Sequence, residues 1–550
     1  MRLEEKKYGY IPIMIVQIVL VIVTAVQVNS QQLCPSVCQC NGDQATCRNL
    51  FSDVTNMAQE TFHSGLRRLR VTGITRLELE EDLFLRWNIT ALTSLDLPRN
   101  NITKIWQRAF YSLVDLKYLN LDGNSITTLD SQTFYYNTRL VRLSLAKNSI
   151  TDLHPDLFKN NVELEVVSLG DNRIAEIHPS TFRNNRGLYN VNLSGNKIVS
   201  MDPETFNQNR ELQHIQLQNN SITDVHQSTF RENRWLISLD ISRNKITSLK
   251  PGTFIYNKNL TYLYLQWNNI TEISKSLFRS LEHLIHLDLS NNIIQELDPL
   301  VFHNTLTSSS RQYHQESKLK RISLAQNMIR SFNFELYFPM NSNSDSSNPT
   351  FQLQYLNISS NRLTTLDVAS VKWLNQTTAV TDLTANPWNC DCSVLLEVWR
   401  GLKHKLTLHC ASPRQLQGKS WGAMEKFCSE DAEDMNNESK RRSEDVSTSA
   451  EHKGESEVSA QSGGPSVVTT ILIVTGVFLV CAIGGGLILA KVVKRLRNRA
   501  KTPENCDVDD PRRSHISLHS YAEIGAGSSQ ITDQYYADVG IRPSYITVQS

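Results

Sequence analysis

LISLDISRNKITSLKPGTFIYNKN, residues 236–259, holds the pattern on which the fold rests. Aliphatic residues stand at its first, fourth, sixth, eleventh and fourteenth places (Leu236, Leu239, Ile241, Ile246, Leu249), asparagine at the ninth (Asn244) and phenylalanine at the nineteenth (Phe254). The pattern recurs every 24 residues, nine times without slipping, from Leu92, Leu116, Leu140, Leu164, Leu188, Leu212, Leu236, Leu260 and Leu284. Position 9 is always asparagine (Asn100 to Asn292), position 11 always isoleucine (Ile102 to Ile294) and position 19 always phenylalanine (Phe110 to Phe302).

Alternation around positions 4 and 6 predicts a short strand with those side chains inward and positions 2, 3, 5, 7 and 8 outward. One such coil cannot bury its apolar face alone, but stacked coils share a continuous core. The asparagine falls where the chain leaves the strand, and its amide is expected to satisfy turn backbone groups. The phenylalanines are expected to stack along the back. The predicted class is α/β: a curved solenoid with a parallel β-sheet on its concave face.

Outward from the regular units (92–307), two more fit after polar insertions near 305–315 and 339–350: Leu319, Ile322, Leu324, Asn327, Ile329, then Leu353, Leu356, Ile358, Asn361, Leu363. A degenerate first unit near Leu66 has Leu69 and Val71, with Ile74 in the asparagine place, so the repeats run over 66–386. Eight of the ten cysteines flank them: Cys34, Cys38, Cys40 and Cys47 within 31–65, and Cys390, Cys392, Cys410 and Cys428 within 387–428. In an oxidising compartment these read as disulfide-linked caps over the raw ends of the solenoid. Four cysteines allow three pairings, and spacing does not choose among them. Cys481 and Cys506 are expected to be free thiols.

The chain ends set the compartment. Residues 1–30 read as a signal peptide, with Arg2, Lys6 and Lys7 ahead of an apolar run from Ile11 to Val28. Val467 to Ala490 is an uncharged apolar run of 24 residues, long enough for a transmembrane helix. Lys491, Lys494, Arg495, Arg497, Arg499 and Lys501 follow it, while the 429–466 stretch before it carries ten acids against four Lys/Arg. The positive-inside rule places 491–550 in the cytosol as a largely disordered tail and makes 429–466 an acidic, disordered stalk. The expectation is a single-pass type I plasma-membrane protein with an extracellular ectodomain.

A net charge of +1 excludes a nucleic-acid binder driven by overall charge. No phosphate loop, dinucleotide fingerprint, His-Glu-x-x-His or nucleophile elbow occurs, so the expectation is no enzyme, no cofactor and no metal. His154, His178 and His226 do share a repeat column, but Asp202, Lys250, Ser274 and Asp298 occupy it too, so it reads as exposed turn.

The pattern Leu-x-x-Leu-x-Leu-x-x-Asn-x-Ile-x-x-Leu with a distal Phe, between cysteine clusters, resembles the extracellular leucine-rich repeat transmembrane proteins of the Slit, Nogo receptor and Toll-like receptor type. The resemblance covers about 34–428. It implies the pairings Cys34–Cys40, Cys38–Cys47, Cys390–Cys410 and Cys392–Cys428. It also implies recognition of a macromolecule, in innate immunity or in cell adhesion. The chain departs from Toll-like receptors in lacking their signalling domain, from Slit in its span, and from the Nogo receptor in its cytosolic tail.

The candidate ligand surface is the outward face near 236–290, where Tyr262, Tyr264 and Trp267 stand beside Asp240, Arg243, His286 and Asp288, with His214 two units back. Aromatic groups flanked by polar ones have the composition of interface hot spots. Glycosylation triplets occur at Asn88, Asn101, Asn192, Asn219, Asn259, Asn269, Asn357, Asn375 and Asn437. Sugars at Asn192, Asn219 and Asn357 would obstruct other parts of the face and leave this one comparatively clear. In the tail, Tyr521, Tyr536 and Tyr545 each have an aliphatic residue three places on, as phosphotyrosine docking and endocytic motifs do. The expected function is that of a cell-surface receptor for a protein or glycan, signalling through tail phosphotyrosines to cytosolic adaptors. The alternative is a structural adhesion protein whose tail motifs serve only trafficking.

Overall fold

Each coil contributes a strand of three residues, positions 3 to 5, and pairs it in parallel with the same three positions of the next coil. Ser94–Asp96 pairs with Tyr118–Asn120, that strand with Arg142–Ser144, and so on to Val380–Asp382. The result is a 15-stranded sheet. Its first two strands, Cys38–Asn41 and Gln44–Arg48, form an antiparallel hairpin whose second member lies parallel to Arg68–Thr72. The register survives both insertions, since Asp288 pairs with Ser323 and Ser323 with Asn357.

This computed structural model describes residues 34–35, 37–48, 62–74, 77–302, 317–338, 353–392, 400–402 and 406–428. The expected signal peptide, both insertions, the stalk with Asn437, the 467–490 run, and the tail with Tyr521, Tyr536, Tyr545 and Cys506 lie outside the described residues. Among the described residues no helix is long and apolar enough to cross a membrane.

The position-9 asparagines set the register. Asn148 is buried; its Nδ2 donates to the Leu145 carbonyl of its own coil (3.0 Å) and the Leu121 carbonyl of the coil before (3.0 Å), while its Oδ1 accepts from the Ile126 N–H (3.1 Å). The same set recurs at Asn172, Asn196, Asn220 and onward to Asn361. The degenerate first coil has no asparagine of its own, yet Ile74 N–H is accepted by Asn100 Oδ1 at 3.1 Å. Aliphatic positions 4, 6 and 14 are buried throughout, as at Leu239, Ile241 and Leu249. The phenylalanine column stacks as expected: Phe84, Phe110, Phe134, Phe158, Phe182 and Phe206 follow one another at 5.7–6.3 Å between ring centroids.

Three features go beyond the sequence reading. Position 22 is a second asparagine column (Asn137, Asn161, Asn185, Asn209, Asn233, Asn257), fully buried and donating to carbonyls of the preceding coil. Position 8 is a column of left-handed backbone: Arg99, Lys147, Asp171, Asn219, Arg243, Trp267 and Asn291 all have φ between 52° and 58°, with Gly123 and Gly195 in the same place. A further coil follows the last expected one. Asn386 donates to Leu383 and Ile358 carbonyls and accepts from the Asn361 and Leu363 N–H groups, although Thr381 stands where an aliphatic residue is usual.

Two expectations are corrected. The α/β class overstates the helix content of the regular coils, which return through successive i→i−3 turns such as Thr133→Asp130, Tyr135→Gln132 and Asn137→Phe134. Those turns let Asn137 reach the carbonyls of the coil before it, and the helices described are short, at Leu83–Arg86, Phe334–Tyr337 and Val368–Gln376. Position 7 is also not uniformly outward: Ser242, Ser290 and Ala325 are buried where the chain turns under its neighbours.

At the two ends the cysteines pair Cys34–Cys40, Cys38–Cys47, Cys390–Cys410 and Cys392–Cys428. Trp388 and Trp421 pack edge-to-face at 5.4 Å beside the last coil, both buried.

The second asparagine column gives a direct test. Asn185→Ala removes two buried bonds, to the Phe158 and Asn161 carbonyls at 3.0 and 2.7 Å, leaving these carbonyls only the N–H groups of Asn161 and Leu164, and should cost about 1–3 kcal/mol. Exposed Asn184→Ala, which loses one bond to the Lys159 carbonyl, should cost less than about 1 kcal/mol. Urea unfolding midpoints of the two variants check the difference.

Candidate functional site

The ladder brings the candidate residues into two rows and a column. His214, Ser238, Tyr262, His286 and Arg321 succeed one another at position 3. Gln216, Asp240, Tyr264, Asp288 and Ser323 do so at position 5. With strands ~4.8 Å apart, side chains on neighbouring strands touch. The Tyr264 and His286 rings lie 5.1 Å apart between centroids. Arg243 and Trp267 come from position 8 of adjacent coils, and the Arg243 Cζ sits 5.1 Å from the Trp267 ring centroid. All eight predicted residues therefore share one face, with His214 at its edge.

Their local roles differ. Asp240 and Asp288 accept from the N–H two residues on (Ser242 at 3.0 Å, Ser290 at 2.9 Å), so each carboxylate also caps its turn. Asn120, Asn192 and Asn357 make the same bond in their coils. Trp267 shares its left-handed backbone with six other non-glycine residues of the position-8 column and differs from them in being aromatic. It is 49% exposed and holds φ +58°, in a column where glycine serves at two other coils. A bulky side chain in the left-handed region costs ~1–2 kcal/mol, and such strain clusters at binding sites.

Burial governs the electrostatics of the patch. It raises the Asp240 carboxyl above the usual value, against the opposing effect of its bonds to Ser242 and of Arg243, with Asp288 adding to the rise. It lowers the His214 imidazole, and likewise His286, where Asp288 pulls the other way and Arg321 reinforces the lowering. Burial thus disfavours the charged forms of Asp240, His214 and His286 alike. Arg321 escaped the sequence reading because the insertion displaces it from the 24-residue count. Gln266, between Tyr264 and Trp267, also escaped it; its Oε1 is buried with no hydrogen-bond partner among the described residues.

Elsewhere the histidine column is explained without a ligand. Nδ1 of His154, His178 and His226 accepts from the N–H two residues on at 3.1, 3.1 and 3.2 Å, the bond that Asp202 and Asp298 make in the same column. No group of three metal-binding side chains occurs among the described residues. Of the glycosylation asparagines, Asn88, Asn101, Asn219, Asn269 and Asn375 are exposed, while Asn192, Asn259 and Asn357 are half-buried. Asn259 Nδ2 donates to the Arg234 carbonyl at 3.0 Å and Asn357 Nδ2 to the Tyr355 hydroxyl at 3.2 Å, so a sugar at either displaces a bond.

The family model for the leucine rich repeat matches residues 90–308 in six overlapping segments, and a second leucine rich repeat model matches 352–374. Nephrocan of Mus musculus is 40% identical over 80 residues, a stretch covering 14% of this chain and 15% of that protein's length. Among solved structures, an internalin of Listeria monocytogenes is 23% identical with a TM-score of 0.45, covering 58% of this chain and 81% of its own. A leucine-rich repeat protein of Leptospira interrogans is 18% identical with a TM-score of 0.48, covering 65% of this chain and 98% of its own.

Asp240→Asn, produced without N-glycosylation because it creates an Asn-Ile-Ser triplet at 240–242, isolates the cost of the buried charge, since asparagine keeps the turn cap. Asp240 ionises above its unfolded value of 3.8, so its stabilising share is present below that value and lost as pH rises through the folded pKa. The variant should melt roughly 1–2 °C higher than the parent at pH 7, with the gain vanishing towards pH 4. The lowered imidazoles of His214 and His286 work in the other sense. Their stability is intact above pH 6.5 and drains away below it, as the unfolded chain takes up protons first. Melting curves across pH 4–8 check both signs.

Proposed function

We propose, from the premise that residues 90–308 belong to the leucine-rich repeat family, that this chain is a cell-surface recognition receptor. Its macromolecular ligand, a protein or a glycan, docks on the sheet face formed by Asp240, Arg243, Tyr262, Tyr264, Trp267, His286 and Asp288. The observation that carries the reading is Trp267. Glycine would relax its backbone, yet the chain places its largest side chain there, half exposed and aligned with a guanidinium. Strain of that kind fits a side chain kept for contact with a partner. The neighbouring tyrosines and imidazoles extend the patch with groups that offer both apolar area and hydrogen bonds.

The signal peptide, single span and cytosolic tail expected from the sequence belong to the same proposal, as do disulfide-linked caps at both ends of the ectodomain. A rigid solenoid fixes the patch in space. A span allows clustering of the ectodomain to bring tail tyrosines together for phosphorylation, giving an adaptor new charge and acceptor oxygens to read.

Two experiments test the proposal. Cells displaying the full chain are exposed to panels of proteins, microbes and glycans, beside cells displaying Trp267→Gly and the Tyr262/Tyr264/Trp267 alanine triple. Trp267→Gly should fold at least as stably as the parent, within about 1 kcal/mol in its favour, yet bind at least about tenfold more weakly. Undiminished binding by the folded triple would remove the ligand from this face. Antibody clustering of the full chain should phosphorylate at least one of Tyr521, Tyr536 and Tyr545, as read by mass spectrometry of tail peptides. Tail peptides that stay unmodified would favour the adhesion role.

A further inference from the structure

A second face of the same sheet, four strands wide and nearer the amino end, has a different chemistry. Arg68–Thr72, Ser94–Asp96, Tyr118–Asn120 and Arg142–Ser144 are consecutive in the ladder. Their coils present Arg67, Arg68, Arg70, Arg99, Lys117, Arg142 and Lys147, all exposed. Two carboxylates lie among these cations, and both are occupied: Asp96 pairs with Arg70 at 2.8 Å, while Asp122 accepts from Ser144 Oγ at 2.6 Å and from the Ala146 N–H at 2.8 Å. Seven cations against two carboxylates leave a local excess of five, on a chain whose formal net charge is +1. None of Arg68, Arg99, Lys117, Arg142 or Lys147 is in an ion pair among the described residues, and Arg142 makes only a long bond (3.5 Å) to the Tyr189 hydroxyl. Glu165 and Asp171 of the next coil mark where the basic zone ends.

We infer that this face binds a linear sulfated glycan. The charge excess calls for a polyanion, and arginine forks match sulfate as they match phosphate and carboxylate. The groups between the cations are hydroxyls and amides (Thr93, Ser94, Asn120, Ser144), fit for sugar hydroxyls, with Tyr118 as one amphipathic ring, 46% exposed. A protein partner would require several apolar anchors, and the exposed face here has that single ring. Cations on strands ~4.8 Å apart suit a chain laid across the strands, which meets a new cation at each coil. No glycosylation triplet falls on these strands: Asn88 and Asn101 lie outside them, and Asn192 is two strands beyond Arg142. The face is separate from the Tyr262–Trp267 patch and does not depend on it.

The test immobilises the full-length chain and titrates a size-defined, fully sulfated heparin oligosaccharide, its desulfated counterpart, poly-glutamate and single-stranded DNA. The sulfated sugar should bind most tightly, with an affinity that falls steeply as salt rises, and the desulfated sugar should not bind. Arg68→Ser/Arg142→Ser/Lys147→Ser should weaken binding about tenfold or more. Arg173→Ser/Arg183→Ser/Arg186→Ala, which removes the same charge from exposed positions off this face, should leave it within about twofold. Both triples alter exposed side chains, and matched melting midpoints show that each folds. Equal loss in both variants would overturn the assignment in favour of diffuse charge. Poly-glutamate or DNA binding as tightly as the sulfated sugar would overturn the glycan class.

Discussion

The structure depends on one repeated set of hydrogen bonds, in which a buried asparagine amide closes each turn of the solenoid onto the next. Besides a longer bond to the Ala146 carbonyl, the Asn148 side chain makes three to buried groups, two to carbonyls on different coils and one from an N–H of the coil before. Each of those backbone groups is buried beyond the reach of water, so each would cost ~1–3 kcal/mol if left unpaired. No aliphatic side chain can meet that demand, and aspartate would bring a charge without the two amide donors. The side chain is therefore fixed by chemistry at position 9. Because it bridges coils, it also forces successive coils into the same register.

The other periodic features follow from this constraint. If coils stack in register, identical positions meet themselves, and any residue that stacks on its own kind is favoured. Phenylalanine does so through 12–22° between ring planes, and asparagine at position 22 does so by donating to the carbonyls of the coil before it. The outward rows are held more loosely, since the turn cap at position 5 and the left-handed backbone at position 8 each tolerate several side chains. Their variation from basic and polar near Arg68–Lys147 to aromatic near Tyr262–Trp267 is the information the scaffold carries. A regular interior with a variable face is what a display surface requires.

How far the sequence could be read follows the same division. The strand, the asparagine turn and the phenylalanine stack were legible because each recurs in all nine regular coils. The last coil was hidden by Thr381, a polar residue in an aliphatic place, although Leu383 and Asn386 were in view. Position 22 was passed over because Leu113 and Leu281 break its column at both ends. The left-handed column at position 8 was hard to see, since its occupants range from glycine to tryptophan and share only a dihedral angle. The capping role of Asp240 and Asp288 was equally hidden, because a carboxylate on an exposed strand reads as a ligand group until its backbone bond is seen.

That last point bears on how such a face acquires a binding site. At position 5 the scaffold accepts either Asp or Asn as a turn cap, and the choice of Asp at 240 and 288 adds charge that the turn does not need. At position 8 it accepts glycine without strain, and the choice of tryptophan at 267 adds strain that the turn does not need. Both choices fall on adjacent coils, and both run against stability in the direction of exposed, poorly solvated chemistry. Neither choice is confined to this patch, since Asp382 caps its own turn in the last coil and Arg99, Lys147, Asp171, Asn219, Arg243 and Asn291 hold the same left-handed angle as Trp267. What sets the patch apart is the combination, an aromatic ring at position 8 beside a guanidinium and two tyrosines on one strand, and that combination is the ground on which contact is proposed there.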